Sequence, residues 1–327
     1  MRAARVTPVR HSNYRYCKMK RQIGFDQISR DDCSVLTVGT FDGVHLGHQA
    51  ILRYLNERAA TVDGCSVVVS FDPHPREVVL GKHVPLLTTL EERGDLLESF
   101  GIDRFVVLPF TRDLSNLEPE AYVEEVLLET IGLREIVIGY DHRFGRDRKG
   151  DRATLEALGA EHGFSVDVIP EQIVHEVTVS SSEIRRLLGE EGDVAEAAEM
   201  LGRPYALTGI VIRGDQRGRT IGYPTANLRV HGDRKLVPKP GVYAVRAALG
   251  DETFGGMMNV GRRPTFETDG ALSVEVHLFA FDREIYGRAL EVAFVERIRD
   301  ERKFSGPDAL VEQLRGDEEQ SMAVLRR

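Results

Sequence analysis

The first half of the chain alternates between two hydrophobic periods. Ser34-Val35-Leu36-Thr37-Val38, Val67-Val68-Val69-Ser70-Phe71, Arg104-Phe105-Val106-Val107-Leu108, Glu135-Ile136-Val137-Ile138 and Ser165 to Ile169 are short, near-continuous apolar runs. That is the pattern of strands buried on both faces. Between them, Gln49 to Leu55, Leu90 to Phe100, Pro119 to Ile131 and Arg152 to His162 have helical spacing. Gly101 stands where one helix stops and Pro119 where the next begins, as helix ends prefer. This alternation predicts a parallel sheet covered on both faces.

Beyond Leu188 the pattern changes. Asp193 to Leu201 is an Ala- and Glu-rich helix closed by Gly202-Arg203-Pro204. Leu207 to Arg213, Gly241 to Leu249, Thr253 to Val260, Leu272 to Phe281 and Leu290 to Val295 then read as strands separated by Gly- and Pro-rich turns, and Ala309 to Leu314 as a terminal helix. Short strands at this spacing predict a small antiparallel barrel. The expected division is a basic extension over 1–33, an α/β domain over 34–188, a linker helix over 189–203 and the barrel domain over 204–327.

Composition narrows the classes. A length of 327 residues suits two domains with a core each. The net charge of −9 argues against a general nucleic-acid surface. No apolar run reaches the roughly 18 residues of a membrane span. The first 21 residues are basic but lack the apolar stretch of a signal peptide, and Met19 is an alternative start. Cys17, Cys33 and Cys65 form no C-x-x-C pair and no zinc spacing. A reduced, cytoplasmic protein is expected, a monomer or weak homo-oligomer that acts on small molecules.

Candidate chemistry gathers where strands end. Gly39-Thr40-Phe41-Asp42-Gly43-Val44-His45-Leu46-Gly47-His48 lies between a strand and a helix. In an open α/β sheet that is where backbone N–H groups and a helix N-terminus face a phosphate. His45 and His48 are three apart, so one helical turn puts both on the same side. The run matches neither the P-loop nor the dinucleotide fingerprint. Asp72-Pro73-His74-Pro75, Gly139-Tyr140-Asp141-His142-Arg143-Phe144-Gly145 and Ser180-Ser181-Ser182-Glu183-Ile184-Arg185 follow other strands. Each alone reads equally as a turn or an N-cap. Together they would converge on one crevice, with Arg185 for phosphate oxygens, serines for a triphosphate and Asp141 for a heterocycle's N–H groups.

In the second half, Gly214 to Leu228 holds three glycines and two arginines and closes with Pro224-Thr225-Ala226-Asn227-Leu228. Such a loop can wrap a phosphate tail. Thr225 and Asn227 are alternate residues, so on an extended chain both face one side, and their oxygens suit Mg²⁺. Glu275 shares a strand face with His277. It is either a solvated outer charge or a base for an attacking hydroxyl.

The H-x-G-H pattern resembles that of nucleotidylyltransferases. G-T-F-D-G-V-H-L-G-H, F-D-P-H-P, G-Y-D-H-R-F-G and S-S-S-E-I-R, in this order, resemble the FMN adenylyltransferase module of bacterial bifunctional FAD synthetases. That module usually carries Phe where His142 stands and Thr where Ser182 stands. G-x-x-x-G-R-x-x-G-x-P-T-A-N, N-V-G-R-R-P-T-F (Asn259 to Phe266), E-V-H-L-F, then Arg299 with Lys303-Phe304 resemble the riboflavin kinase module.

The resemblance implies an α/β Rossmann-like nucleotidylyltransferase domain followed by a six-stranded antiparallel barrel with a C-terminal helix. It implies two reactions, riboflavin and ATP to FMN, then FMN and ATP to FAD, with Mg²⁺. For the kinase it implies Glu275 as base, Thr225 and Asn227 as metal ligands, Gly214, Gly218, Arg219, Gly222 and Pro224 at ATP, and Asn259 and Arg299 at the flavin. For the adenylyltransferase it implies His45, His48 and Arg185 as catalytic groups. Gly39, Thr40, Phe41, Asp42, Gly43, Gly47, Ser180, Ser181 and Ser182 would then meet ATP, and Phe71, Pro73, His74 and Asp141 the flavin. Two rivals stand beside it. One is an H-x-G-H cytidylyltransferase with another phosphate acceptor, and the other a flavin carrier without turnover; neither accounts for Glu275 beside the Thr225 loop.

Overall fold

The structure is a computed structural model that describes residues 18–139, 142–169, 179–214, 218, 221–262 and 272–327. The chain divides into two compact units, one closing at Ser180 and one opening at Ser181.

The first unit is a six-stranded sheet of β1 (Lys20–Ile23), β2 (Ser34–Val38), β3 (Cys65–Asp72), β4 (Arg104–Pro109), β5 (Leu133–Ile138) and β6 (Ser165–Val168), in the order β1-β4-β3-β2-β5-β6. Every neighbouring pair is parallel. Alternation along the strands sorts the core into two layers. Leu36, Val67, Val69, Val106 and Leu108 enter one cluster, while Val35, Val68, Phe105, Val107 and Val137 enter the other. The helices of this unit include α1 (Leu46–Thr61), α2 (Pro75–Leu80), α3 (Leu90–Ser99), α4 (Pro119–Ala121, continued as wider π-type turns over Tyr122–Ile131) and α5 (Arg152–His162), and all but α2 bury residues in these faces. Capping boxes at Thr89/Glu92 and Asp151/Thr154 start α3 and α5. Strand order reverses between β2 and β5, so the switch-point crevice of the sheet opens at the carboxyl end of β2, where the Gly39–His48 run begins.

The expected extension over 1–33 needs correction, because Lys20–Ile23 is the edge strand of this sheet, paired with Arg104–Val107. The buried Arg104 guanidinium donates to Gln22 Oε1, the Ser29 carbonyl and Ser34 Oγ, so these polar residues are part of the fold.

The second unit starts with α6 (Ser181–Arg186, continued over Leu187–Glu191) and α7 (Val194–Leu201). α7 buries Val194, Ala197 and Leu201 and packs on the barrel strand over Ala289–Arg299. The expected linker therefore belongs to this unit, and the unit begins before the expected end at Leu188. β7 (Ala206–Ile212), β8 (Ala226–Val230), β9 (Gly241–Leu249), β10 (Glu252–Arg262), β11 (Leu272–Leu278) and β12 (Ala289–Arg299) close a barrel in the order β10-β11-β8-β7-β12-β9. All its pairs are antiparallel. β8 supplies the strand that hydrophobic spacing left out; it is the tail of the Gly214–Leu228 loop. α8 (Pro307–Leu325) packs on β9, β10 and β12.

Candidate active sites

At the head of α1, His45 is the N-cap residue, and its Nδ1 accepts the His48 backbone N–H at 3.3 Å. A ring nitrogen used as an acceptor carries no proton, which places the proton of neutral His45 on Nε2, the opposite edge of the ring. The His48 ring stacks on it, 3.7 Å between centroids and 15° between planes. Phe41 lies against the His48 ring, 4.8 Å between centroids. His48 Nδ1 is buried and makes no hydrogen bond. Burial, followed by the neighbouring His45 and Arg93, holds the His48 imidazole well below the usual 6.5. Both rings therefore stand as neutral N–H donors at the start of a helix.

This shift carries a stability consequence. Below pH 6.5 the unfolded chain takes up a proton at His48 that the folded chain refuses. The contribution of His48 to the stability of the first unit is fully present above that value and is lost as the pH falls from it toward the lower folded pKa. One proton sets a slope of at most about 1.4 kcal/mol per pH unit. The melting temperature of this unit should drop between pH 7.5 and 5.5, and His48→Gln should flatten the drop. An unchanged pH profile in that variant would show that His48 is not the group responsible.

The loop before His45 departs from ordinary backbone. Gly43 has φ +84°, which glycine adopts freely, but Phe41 has +47° and Val44 +41°. A β-branched residue in that region is strained by roughly 1–3 kcal/mol. The expected ATP contact Asp42 is turned away from the surface. It is fully buried, and its carboxylate accepts the Leu87 N–H at 3.0 Å, the Thr88 N–H at 2.9 Å and the Thr88 hydroxyl at 3.1 Å. Its observed role is to shape the loop. Gly39, Thr40 and Gly47 are half-buried. A side chain on Gly47 would press on the His45 ring at 3.3 Å.

His74 caps α2 as His45 caps α1, with Nδ1 accepting the Arg76 N–H at 3.1 Å. Phe71 packs edge-on against Phe110, 5.2 Å between centroids, and Pro73 is exposed. All three lie at the carboxyl end of β3. Asp141 lies outside the described residues. Ser180 is the last residue of the first unit, while Ser181, Ser182 and Arg185 belong to α6 of the second.

In the barrel, three expected residues come together by register. Asn227 on β8 pairs with Glu275 on β11, and Glu275 pairs with Asn259 on β10. The Thr225 hydroxyl donates to Glu275 Oε2 at 3.3 Å. Two cavities flank Thr225. One, of about 300 Å³, is lined by Glu275, Asn259, His277, Arg299 and Phe304 among others. The other, of about 270 Å³, is lined by Pro224, Thr225, Ala226, Arg283 and Tyr286 among others. Gly214 must lack a side chain, since a Cβ there would lie 2.3 Å from the Asn227 carboxamide. The Gly218 carbonyl receives the Tyr223 N–H at 2.8 Å, folding the loop back, and Gly222 turns it with φ +84°. Arg219 lies outside the described residues.

Arg299 lines the larger cavity, yet its Nε and Nη2 donate to the buried Asp317 of α8 at 2.9 and 2.7 Å. Its charge thus ties the helix to the barrel, and its guanidinium lies 5.7 Å from the centre of the Phe304 ring. Sequence reading missed three contributors. His277 Nδ1 bonds the Pro224 carbonyl at 2.8 Å, anchoring the segment before Thr225. Asp317 gave no periodic signal. Arg93 did, as a charge one turn before Leu97 on the buried face of α3.

The profile described as FAD synthetase matches residues 27–183, and the one described as riboflavin kinase matches residues 201–325. Proteins described as bifunctional riboflavin kinase/FMN adenylyltransferase are similar along most of the chain. The Listeria monocytogenes protein is 40% identical over 90% of this chain and 93% of its own. That of Bacillus subtilis is 37% identical over 88% and 92%, and that of Escherichia coli K12 is 35% identical over 89% and 92%. A Streptococcus pneumoniae structure described as a macrolide-efflux protein superposes with a TM-score of 0.81, at 32% identity over 94% of this chain and 99% of that one. Among the residues described here, no helix is long and apolar enough to cross a membrane. By these matches, the chain belongs to the family of bifunctional riboflavin kinases/FMN adenylyltransferases.

Proposed function

We propose that Glu275, Thr225 and Asn227 run the kinase reaction and that His45, His48 and Arg185 run the adenylyl transfer. For the kinase, riboflavin occupies the larger barrel cavity, beside Asn259 and Arg299. ATP lies across Thr225 in the smaller one, along Gly214, Gly218, Arg219, Gly222 and Pro224. Glu275 takes the proton of the ribityl 5′-hydroxyl, whose oxygen attacks the γ-phosphorus as the bond to the β-phosphate oxygen breaks. FMN and ADP result. The observation that carries this reading is the register of Asn227, Glu275 and Asn259 with the Thr225 hydroxyl on the carboxylate. A solvated outer charge would need no such company.

A hydroxyl and a carboxamide oxygen beside a carboxylate form a hard, all-oxygen donor set, and Gly214 packs without a side chain on the carboxamide. These fit Mg²⁺, which takes few protein ligands. When bound, Mg²⁺ neutralises phosphate charge. Asn227→Ala should raise the Mg²⁺ concentration needed for half-maximal riboflavin phosphorylation by about tenfold or more, the scale of losing a metal-site contact. An unchanged Mg²⁺ titration would remove Asn227 from the metal site.

For the adenylyl transfer, a phosphate oxygen of FMN attacks the α-phosphorus of a second ATP, and pyrophosphate leaves. Gly39, Thr40, Phe41, Gly43 and Gly47 bring backbone close to the triphosphate, with Ser180, Ser181 and Ser182 as further donors and Asp42 shaping the loop. Phe71, Pro73, His74 and Asp141 take the flavin. His45 and His48, neutral and donating from their outer edges, meet charge as it builds on the α-phosphoryl oxygens, and Arg185 adds a planar cation. Cys33 and Cys65 are both free thiols, which supports a cytoplasmic enzyme.

A further inference from the structure

Arg93 is a charged residue that neither reaction above uses. It sits on α3, 3% exposed, and faces Asp42, which is 0% exposed. Its guanidinium holds the loop before His45 from both ends. Toward the far end, Nη2 lies 3.6 Å from Asp42 Oδ1, and Nε reaches Thr88 Oγ1 at 3.5 Å. The same Thr88 oxygen accepts the Gly43 N–H at 3.1 Å. Toward the near end, Nη1 donates to Ser70 Oγ at 3.2 Å, and the Ser70 hydroxyl donates to the Thr40 carbonyl at 3.0 Å. Ser70 and Thr88 are buried as well. Phe41 lies between these two attachments and Val44 directly follows the second, and both have positive φ. A strained loop persists only where its surroundings over-determine it, and the first residue beyond it is His45.

We propose that Arg93 is a positioning residue for adenylyl transfer: from the interior it holds the loop over 40–44 through Asp42, Thr88 and Ser70, and so sets where His45 and His48 meet the α-phosphate, without touching a substrate itself. The role rests on the reading of those histidines as the groups that hold the developing charge. It needs a fork of donors. A lysine would keep the charge but cannot reach Asp42, Thr88 and Ser70 at once from one ammonium. A displacement of about 1 Å at a reacting centre costs on the order of 10²-fold in rate.

The test is Arg93→Lys in the full chain, assayed for FAD formation from supplied FMN well below the melting temperature of the first unit, so that the folded fraction is complete. The expected result is a fall in kcat of about 10- to 100-fold, with KM for ATP and FMN changed little. Riboflavin phosphorylation, carried by the other unit of the same molecule, should be unaltered. A merely structural arginine would lower the melting temperature and leave this kcat as it was, and that result overturns the proposal. If Arg93→Lys does not fold, Ser70→Ala removes the near attachment alone; it should still lower kcat several-fold, and a wild-type kcat there is equally fatal. His48→Ala run alongside keeps the two readings apart. Undiminished FAD formation in that variant removes the role of the histidine, whereas undiminished formation in Arg93→Lys removes the role of the arginine.

Discussion

Glu275→Ala stops riboflavin from becoming FMN, while FAD still forms when FMN is supplied. The carboxylate accepts the Thr225 hydroxyl, stands in register between Asn227 and Asn259 and faces the cavity assigned to riboflavin. Loss of a positioned base costs about 10²–10⁴ in rate, and Thr225 and Asn227 lose the group beside them. Glu275→Gln is the sharper probe, because the amide oxygen can still accept from Thr225 but cannot hold the substrate's proton. It should keep riboflavin affinity near wild type and lose turnover to nearly the same extent as Glu275→Ala. Chromatography of the flavins formed from riboflavin or from FMN with ATP reads both halves in one sample. A Gln variant with wild-type turnover would reduce Glu275 to a structural partner of Thr225.

His48→Ala gives the mirror image: FMN accumulates and FAD formation falls by about 10²–10³, the cost of one preorganised donor at a developing charge. The substitution is clean because the backbone N–H that His45 accepts belongs to residue 48 whatever its side chain. The N-cap therefore survives and the stacked ring alone is lost. Supplied FMN and ATP, with release of pyrophosphate as the readout, isolate the step. Normal pyrophosphate release would take His48 out of the mechanism and leave His45 and Arg185 to carry it.

Local patterns in the sequence are enough to reveal the parallel sheet and the barrel. Apolar strands, turn glycines and alternate residues encode short-range structure, and Thr225, Asn227 and Glu275 stood out by chemistry before their register was visible. What stayed hidden depends on partners distant in the chain. Lys20–Ile23 reads as a basic tail until β4 pairs with it and the Arg104 guanidinium donates to Gln22 Oε1. β8 alternates apolar and polar residues but over only five positions, at the end of a Gly- and Arg-rich loop, so it reads as loop until its pairing with β7 and β11 is seen. Asp42 reads as a phosphate contact because it lies in the Gly39–His48 run, yet residues 87 and 88 claim its carboxylate. Arg299 likewise shows its commitment only once α8 brings Asp317 beside it.

The four-residue strand β1 has a consequence for handling this protein. It occupies the hydrogen-bonding rim of β4 along Arg104–Val107. A chain trimmed past Ile23 would bare that rim beside Phe105 and Val106, an open template on which strands of other molecules add. Solubility would then fail before either chemistry did, and precipitation of such a truncated preparation would say nothing about its catalytic groups.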